Sequence, residues 1–245
     1  MRDIKVLSVV VILFCCSLVM GGELEEGLLF YTSFDKGVKA DISRGNPEPI
    51  SLKGNIQLED GIKGKSIITG NNFITTLSYS TEGNFNITRG TISIWIKPID
   101  WLGDKGTAKL FHIFLLEYSN QGYLGIEMER FNTPYACLLF YASYFPNREK
   151  IHIRYSGTKN WENGIWHHVV ITWDNKEVRL YIDGVFIGRG QLTAPFTASD
   201  LHAKYFYIGT GGEEHTSIDE FRIWERDLTY SEVFQLYQKE KAGIN

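Results

Sequence analysis

The feature that most constrains the fold is a run of alternating residues at positions 164–188, which read GIWHHVVITWDNKEVRLYIDGVFIG. Side chains alternate between the two faces of a strand, so the first apolar run places bulky groups on both faces, as in a strand buried between layers. Asp174-Asn175-Lys176 is a polar break that lets the chain reverse. Asp183-Gly184 separates the next two runs, and this dipeptide favours a tight hairpin turn because such a turn needs positive φ. The stretch therefore predicts three consecutive antiparallel strands.

The remaining sequence has the turn rhythm of an all-β protein. Turn signals separate short apolar runs about every ten residues, which is typical of a sandwich or barrel. The 245 residues include 24 Gly and only 6 Pro, and 14% are aromatic. Many short strands joined by glycine turns use residues in this proportion. Because all-β sandwiches often reach this length without splitting, we expect one domain.

Two local patterns predict the end of the domain. Ser217–Trp224 (SIDEFRIW) alternates as a last strand. The residues that strict alternation places on one face are Ile218, Glu220, Arg222 and Trp224. Thr229 and Glu232 then have the spacing of a capping box, which predicts the start of a short helix. The apolar stripe of this helix consists of Val233, Leu236 and Tyr237.

Residues 1–21 have the pattern of a secretory signal peptide. Arg2 and Lys5 make a short positive end, and Val6 to Met20 form an apolar run that is too short for a comfortable membrane span. We therefore expect removal of this segment and a protein that is secreted or located at the cell surface, in an extracellular or periplasmic setting.

The cysteines leave one alternative to free secretion. Cys15 and Cys16 suggest a bacterial lipoprotein, but lipidation needs a small residue before the cysteine and Phe14 precedes Cys15. After cleavage only Cys137 remains, so no internal disulfide is expected and the core must hold the fold.

Several motifs carry a resemblance to a known family. The string WHHVVITWD followed by LYIDGVFIG resembles the laminin-G-like jelly-roll family, within the concanavalin A-like lectin and glucanase group. Thr91–Pro98 (TISIWIKP) and the IDEFRIW string resemble further strands of that family. The resemblance extends over residues 27–239. It implies one laminin-G-like domain at 27–245, a two-sheet antiparallel jelly-roll β-sandwich with a short C-terminal helix.

The resemblance also implies the kind of function. We expect an exported, non-catalytic binding module that recognises carbohydrate or glycan. A protein–protein adhesion module is the first alternative, because laminin-G-like relatives bind proteins as readily as sugars. A glycoside hydrolase or polysaccharide lyase is the second. The net charge of −4 provides no basic footprint for nucleic acid.

Sugars are held by aromatic faces together with hydrogen bonds, so aromatic residues in or near loops are the candidates for ligand binding. These residues are Trp101, Tyr144, Phe145, Tyr155 and Trp161. The same rings could instead fold back over the ends of the sandwich. At strand spacing, Trp95, Trp166 and Trp173 are expected in the core.

A structural calcium ion is a further expectation from the resemblance. Laminin-G-like relatives often hold calcium at the rim of the sandwich, where a first-strand and a last-strand Asp meet. Asp35 and Asp219 are the corresponding candidate ligands, together with carbonyl groups of the loop after Asp35. The alternative is that both are loop-edge acids that are solvated or paired with cations.

The sequence offers little for catalysis. Glu127 and Glu129 share a strand face, as a retaining glycosidase requires, but they do not reproduce the E-x-D-x-x-E pattern of the enzymatic relatives. Adjacent His167 and His168 point to opposite faces and cannot share a metal ion. We expect one in the core and the other hydrogen-bonded.

Overall fold

The computed structural model describes residues 24–70, 74–101, 108–114, 125–131, 137–144, 149–192, 195–201, 203–209 and 214–242. The signal-peptide prediction lies outside these residues. The strands in chain order are β1 (Leu28–Thr32), β2 (Ile42–Ser43), β3 (Ser51–Gly54), β4 (Gln57–Asp60), β5 (Lys65–Thr69), β6 (Ile74–Ser80), β7 (Gly90–Pro98), β8 (Ala108–Phe114), β9 (Gly125–Phe131), β10 (Cys137–Tyr144), β11 (Glu149–Tyr155), β12 (His167–Trp173), β13 (Glu177–Ile182), β14 (Val185–Gln191), β15 (Tyr205–Ile208) and β16 (Thr216–Trp224). One α-helix follows, α1 (Tyr230–Lys241), and two short 3-10 turns lie at Ser156–Asn160 and Ala198–Asp200.

The strands form two antiparallel sheets. The nine-stranded sheet has the order β14-β13-β12-β7-β16-β1-β2, and β5 pairs with β16 and carries β4. The seven-stranded sheet has the order β11-β10-β9-β8-β15-β6-β3. This arrangement confirms the predicted two-sheet sandwich. In the part of the chain that is described, no helix is long and apolar enough to cross a membrane.

The three strands predicted from residues 164–188 form one end of the nine-stranded sheet. β12 pairs antiparallel with β13, and β13 with β14 across the Asp183-Gly184 turn. Both residues of that turn have positive φ, 51° for Asp183 and 75° for Gly184. On β12, Val169, Ile171 and Trp173 face the core between the sheets.

The outer face of the nine-stranded sheet is covered by α1. Val233 and Leu236 of the helix pack with Val170 and Trp224 in a second apolar cluster, separate from the core between the sheets. The predicted capping box is present at the start of α1, where Thr229 and Glu232 satisfy each other's backbone amides. Because α1 seals this face, β12 is buried on both sides.

A bulge in β16 makes one part of the predicted alternation wrong. The pairing of β16 with β7 shifts between Asp219 and Arg222, and Glu220 adopts a positive φ of 50°. The extra residue reverses the alternation, as expected of a β-bulge. Ile218 and Phe221 therefore both face the core, and Ile218 does not share a face with Arg222.

One of the three strand-spaced tryptophans is also less buried than expected. Trp95 and Trp173 are both 1% exposed. Trp166, which precedes β12, is only half-buried, and the Lys97 ammonium lies 5.0 Å from the centroid of its ring. The position just outside the strand explains the difference, because the register with β7 begins at His167.

Candidate functional site

Three of the aromatic residues predicted to bind ligand lie in one cluster at an end of the sandwich. Trp101 is only 6% exposed, and its Nε1 donates to Thr216 Oγ1 at 2.9 Å. The rings of Trp101 and Trp161 stack with centroids 5.9 Å apart, and Tyr155 lies 6.0 Å from Trp161. Trp101 is therefore a core residue with little surface for a ligand.

Trp161 has a second stacking partner. The imidazole of His167 lies parallel to its ring, with the centroids 3.9 Å apart. His167 is itself oriented by Asp183, whose Oδ2 lies 2.9 Å from Nδ1. Trp161 and Tyr155 are half-buried and keep some exposed surface. Ligand binding by these two remains a prediction, while Phe145 and the side chain of Tyr144 lie outside the described residues.

A second candidate is the outer face of the seven-stranded sheet, which is placed by backbone register. On β15, Phe206 and Ile208 are fully buried in the core, and on β6 the same is true of Leu77 and Tyr79. Residues between them occupy the opposite face, because strand side chains alternate. Tyr207 is such a residue, and it is half-buried.

Cross-strand register extends this face over all seven strands. Tyr207 pairs with Ser78 on β6 and with His112 on β8. Continuing from these pairs in both directions gives one row of seven residues, which we call the tyrosine row. Its members, from β11 to β3, are His152, Tyr141, Glu127, His112, Tyr207, Ser78 and Ser51.

The tyrosine row combines two tyrosines with hydrogen-bonding and ionisable residue types. Strands in a sheet lie about 4.8 Å apart, so seven strands give a row about 29 Å long, the length of a short oligosaccharide. The sequence signal for it was the alternation of YFYI in β15. That alternation does not reveal the partner strands, because β15 is inserted between β6 and β8 from a distant part of the chain.

The two predicted calcium ligands meet at one tight turn, residues 61–65. Asp219 Oδ2 accepts hydrogen bonds from Ile62 N at 2.8 Å and from Lys63 N at 3.3 Å, and Asp219 Oδ1 accepts from Glu220 N. Asp35 Oδ1 accepts from Lys65 N at 2.6 Å. First and last strands are thus joined through backbone amides of the turn.

Two glycines permit this close approach. A Cβ atom on Gly61 would lie 2.4 Å from Asp219 Oδ2, and one on Gly64 would lie 1.8 Å from Asp35 Oδ1. Gly64 also has a positive φ of 62°. The two glycines of the GIKGK sequence therefore leave the space in which the carboxyl groups of Asp219 and Asp35 bind the backbone of the turn.

This arrangement does not fit a calcium site built on Asp35 and Asp219. Calcium needs six to eight oxygen ligands, whereas both oxygens of Asp219 already accept backbone N–H groups. Burial, and next the charge of Glu220, raise the pKa of Asp219 to about 8. Among the described residues no group of three or more His, Cys, Asp or Glu is placed to hold a metal ion. Calcium binding by this protein remains a prediction.

A buried ionic network lies between the nine-stranded sheet and α1. Arg222 forms ion pairs with Glu220 and with Glu240 of the helix. Tyr31 donates to Glu220 Oε1 at 2.9 Å, and Trp95 Nε1 donates to Glu240 Oε2 at 2.6 Å. The network ties α1 to β1, β7 and β16.

His168 lies beside this network and is fully buried. Its Nε2 is 2.7 Å from Ser93 Oγ, and its ring stacks on Trp95 with centroids 4.9 Å apart. Burial lowers the pKa of His168 to about 3, so the imidazole is neutral. The prediction of one core and one hydrogen-bonded histidine is confirmed. Although Ser93 and His168 form a nucleophile-like pair, α1 seals them from substrate.

Comparison with known families agrees with this fold. A family model named Laminin_G_3, described as the concanavalin A-like lectin/glucanases superfamily, matches residues 70–234, which is more than half of the chain. The chain belongs to this family. Residues 70–234 include β12, β13 and β14 and the start of α1.

Several solved structures share the fold. Domain 4 of AbnA, an extracellular arabinanase from Geobacillus stearothermophilus, in complex with arabinotriose, has a TM-score of 0.61 and 22% identity, covering 87% of this chain and 100% of that one. The receptor binding domain of botulinum neurotoxin C/D mosaic serotype has a TM-score of 0.69 and 14% identity, covering 88% of this chain and 52% of that one. The binding domain of Paraclostridial Mosquitocidal Protein 1 has a TM-score of 0.61 and 22% identity, covering 88% of this chain and 53% of that one. The chain thus spans about half the length of the two toxin chains.

Proposed function

We propose that this protein is a non-catalytic glycan-binding module whose ligand lies on the outer face of the seven-stranded sheet. The observation that carries the proposal is the tyrosine row, which aligns aromatic and hydrogen-bonding residue types across the sheet. Aromatic faces combined with a few polar groups are what sugar recognition requires. The outer face of the nine-stranded sheet offers no such surface where α1 covers it.

Similar proteins support this ligand class. The arabinanase domain named above was solved with arabinotriose, and a binding domain of botulinum neurotoxin DC was solved in complex with SialylT. Both share the fold with this chain at low identity, so they support sugar binding without identifying the sugar.

Export is part of the same proposal. A positive N-terminal end and an apolar run of secretory length precede the domain. N-terminal sequencing of the protein recovered from its native cells tests this. We expect a mature chain that begins near residue 22, and an intact Met1 would contradict export.

A glycan array, probed with and without calcium, tests the proposed function. We expect binding to a limited set of glycans. Tyr207→Ala should then weaken binding by roughly fivefold or more, because a lost stacking contact of this kind costs about 1 kcal/mol or more. Tyr205→Ala, at a more exposed position on the same face, is a second variant that should fold readily.

Tyr230→Ala is the matched control for this experiment. Tyr230 is 55% exposed on α1, so its removal should leave binding unchanged. An array without any bound glycan would contradict the proposal and favour a protein adhesion module. Release of reducing ends from a bound polysaccharide would favour the hydrolase alternative instead.

A further inference from the structure

The loop between β6 and β7 carries a sequence motif for covalent modification. Asn86-Ile87-Thr88 matches the pattern Asn-x-Ser/Thr, in which x is not Pro, and no other position of the sequence does. This pattern is the acceptor for N-linked glycosylation in secreted proteins, where the attached sugar is bulky and lies on the surface. Because three residues can match by chance, the weight of the motif depends on where the structure places them.

The motif lies at one end of the sandwich. β6 belongs to the seven-stranded sheet and β7 to the nine-stranded sheet, so the chain crosses from one sheet to the other between Ser80 and Gly90. Phe85 and Ile87 of this loop belong to the core cluster between the sheets, so the loop closes that end. A group attached to the loop is therefore placed at the end of the sandwich and not on the outer face that carries the tyrosine row.

The residues on both sides of Asn86 are anchored to Trp173. The side chain of Ile87 is 1% exposed, and its carbonyl oxygen accepts a hydrogen bond from Trp173 Nε1 at 2.8 Å. Phe85 stacks on the Trp173 ring, with the centroids 5.7 Å apart. Asn86 itself is only half-buried, so the core holds this residue in place at the surface.

Asn86 and Thr88 form a closed turn. Asn86 Oδ1 accepts hydrogen bonds from Thr88 N at 3.0 Å and from Thr88 Oγ1 at 2.8 Å. Such a bond from an Asn side chain to the backbone two residues on is an Asx turn. It also identifies the two ends of the Asn86 amide, because a backbone N–H can only donate and must face the oxygen.

The nitrogen of the Asn86 amide is the free end of this turn. The hydrogen bonds of the Asn86 side chain use Oδ1, whereas Nδ2 donates to no described residue and is not among the buried atoms that lack a partner. Nδ2 is therefore open to solvent. A glycan can be attached to this nitrogen without breaking a hydrogen bond of the folded protein, and it would project from the surface.

We propose that Asn86 carries an N-linked oligosaccharide in the exported protein. The inference rests on the export proposed above, because the modification belongs to the secretory route. The donor is an oligosaccharide on a polyprenyl diphosphate. Asn86 Nδ2 forms a bond to the anomeric carbon of the sugar and loses one proton, while the bond from that carbon to the diphosphate breaks and polyprenyl diphosphate leaves. This sugar is covalent and distinct from the ligand of the tyrosine row.

Peptide mass spectrometry of the protein recovered from its native cells tests the proposal. We expect the peptide that contains Asn86 to carry the added mass of a chain of sugar residues. Treatment with peptide N-glycosidase should remove this mass and convert Asn86 to Asp. The exposed Asn175, which lies outside the motif, is the internal control and should be unmodified.

Three variants produced in the same cells separate the motif from the turn. Thr88→Ser keeps the hydroxyl and the motif, so the sugar should remain. Thr88→Val removes the hydroxyl at nearly the same size, so Asn86 should be unmodified. Asn86→Asp keeps an oxygen that accepts from Thr88 but lacks the acceptor nitrogen, so the turn should persist without the sugar. All three should bind the glycan array as the unsubstituted protein does.

Other outcomes separate this inference from the proposed function. An unmodified Asn86 in a chain that begins near residue 22 would overturn the inference and leave export and glycan binding intact. An unmodified Asn86 in a chain with an intact Met1 would overturn the inference and contradict export as well. Sugar that remains in Thr88→Val, or that is found on Asn175, would show modification without the motif, which also overturns the inference.

Discussion

At the scale of single residues, several carboxyl groups in this protein bind backbone amides, and two bind the buried guanidinium of Arg222. Asp219 and Asp35 hold the turn at residues 61–65, and Asp183 binds the backbone N–H of His168 at 2.8 Å as well as the His167 ring. The family resemblance implied that Asp35 and Asp219 are neighbours at the rim. It could not identify their partners, because an amide donor carries no residue-type signal.

Asp219→Asn is expected to destabilise the fold. The amide group of Asn places N–H groups where Asp219 has an accepting oxygen, so at least one buried backbone N–H loses its partner. The expected loss is about 1–3 kcal/mol in the free energy of unfolding, measured by urea denaturation.

Asp35→Asn is the control for that substitution, since Asp35 is exposed and accepts one backbone hydrogen bond. Its effect should be smaller. Both measurements are repeated with calcium and with a chelator. A destabilisation by Asp219→Asn that appears only with calcium present would contradict the amide-binding role and indicate a metal site.

Glu240 gives the ionic network a pH dependence of known sign. Burial raises the pKa of Glu240 to about 7 from 4.5, with Arg222 opposing and Glu220 reinforcing the rise. The folded state therefore holds the proton more tightly than the unfolded chain. Its contribution to stability is fully present below 4.5 and is lost as pH rises through about 7.

Glu240→Gln removes this titration while keeping an oxygen that can accept from Trp95. Relative to the unsubstituted protein, the melting temperature of this variant should rise as pH increases from 4.5 to about 7. Glu225→Gln, at an exposed ion pair with Arg44, is the control and should show no such trend. A constant difference across that pH interval would contradict the account.

At the scale of elements, α1 decides which face of the sandwich is available. Its capping box was readable from Thr229 and Glu232, because both partners lie within one helical turn. Its docking was not readable, since it depends on the bulge at Glu220, which turns Arg222 towards the helix. The core residues Ile218, Phe221 and Ile223 are spaced three and then two residues apart, which departs from strict alternation, but this spacing does not identify the residue at which the strand bulges.

Thr229→Ala should weaken the start of α1. The hydroxyl of Thr229 accepts from Glu232 N, and loss of such a cap costs about 1 kcal/mol. Ser231→Ala, at an exposed position in the first turn, is the control and should have little effect. Equal destabilisation by the two substitutions, in thermal or urea unfolding, would argue against the capping box.

The region of β12, β13 and β14 was the most predictable part of the fold. Its strands are adjacent in sequence, and Asp183-Gly184 specifies the turn locally. The seven-stranded sheet was less predictable, because β15 pairs with β6 and β8, which are more than ninety residues earlier in the chain. For the same reason the predicted aromatic site centred on loop residues such as Trp101, which the structure buries.

At the scale of the whole molecule, the two outer faces of the sandwich have different roles. One is closed by α1 and a buried ionic network, and the other carries the tyrosine row. In this account the nine-stranded sheet and α1 stabilise the fold, and the seven-stranded sheet binds the ligand. Variants on α1 should change unfolding without changing binding, and those on the outer face of the seven-stranded sheet should do the reverse.

A crystal structure of the protein with an oligosaccharide selected from the glycan array is the most direct measurement of this account. We predict that the sugar lies across β8, β9, β10 and β15 on the outer face, in contact with Tyr207. A sugar bound at the Trp161 cluster, on α1, or at any place away from that sheet would contradict the central claim.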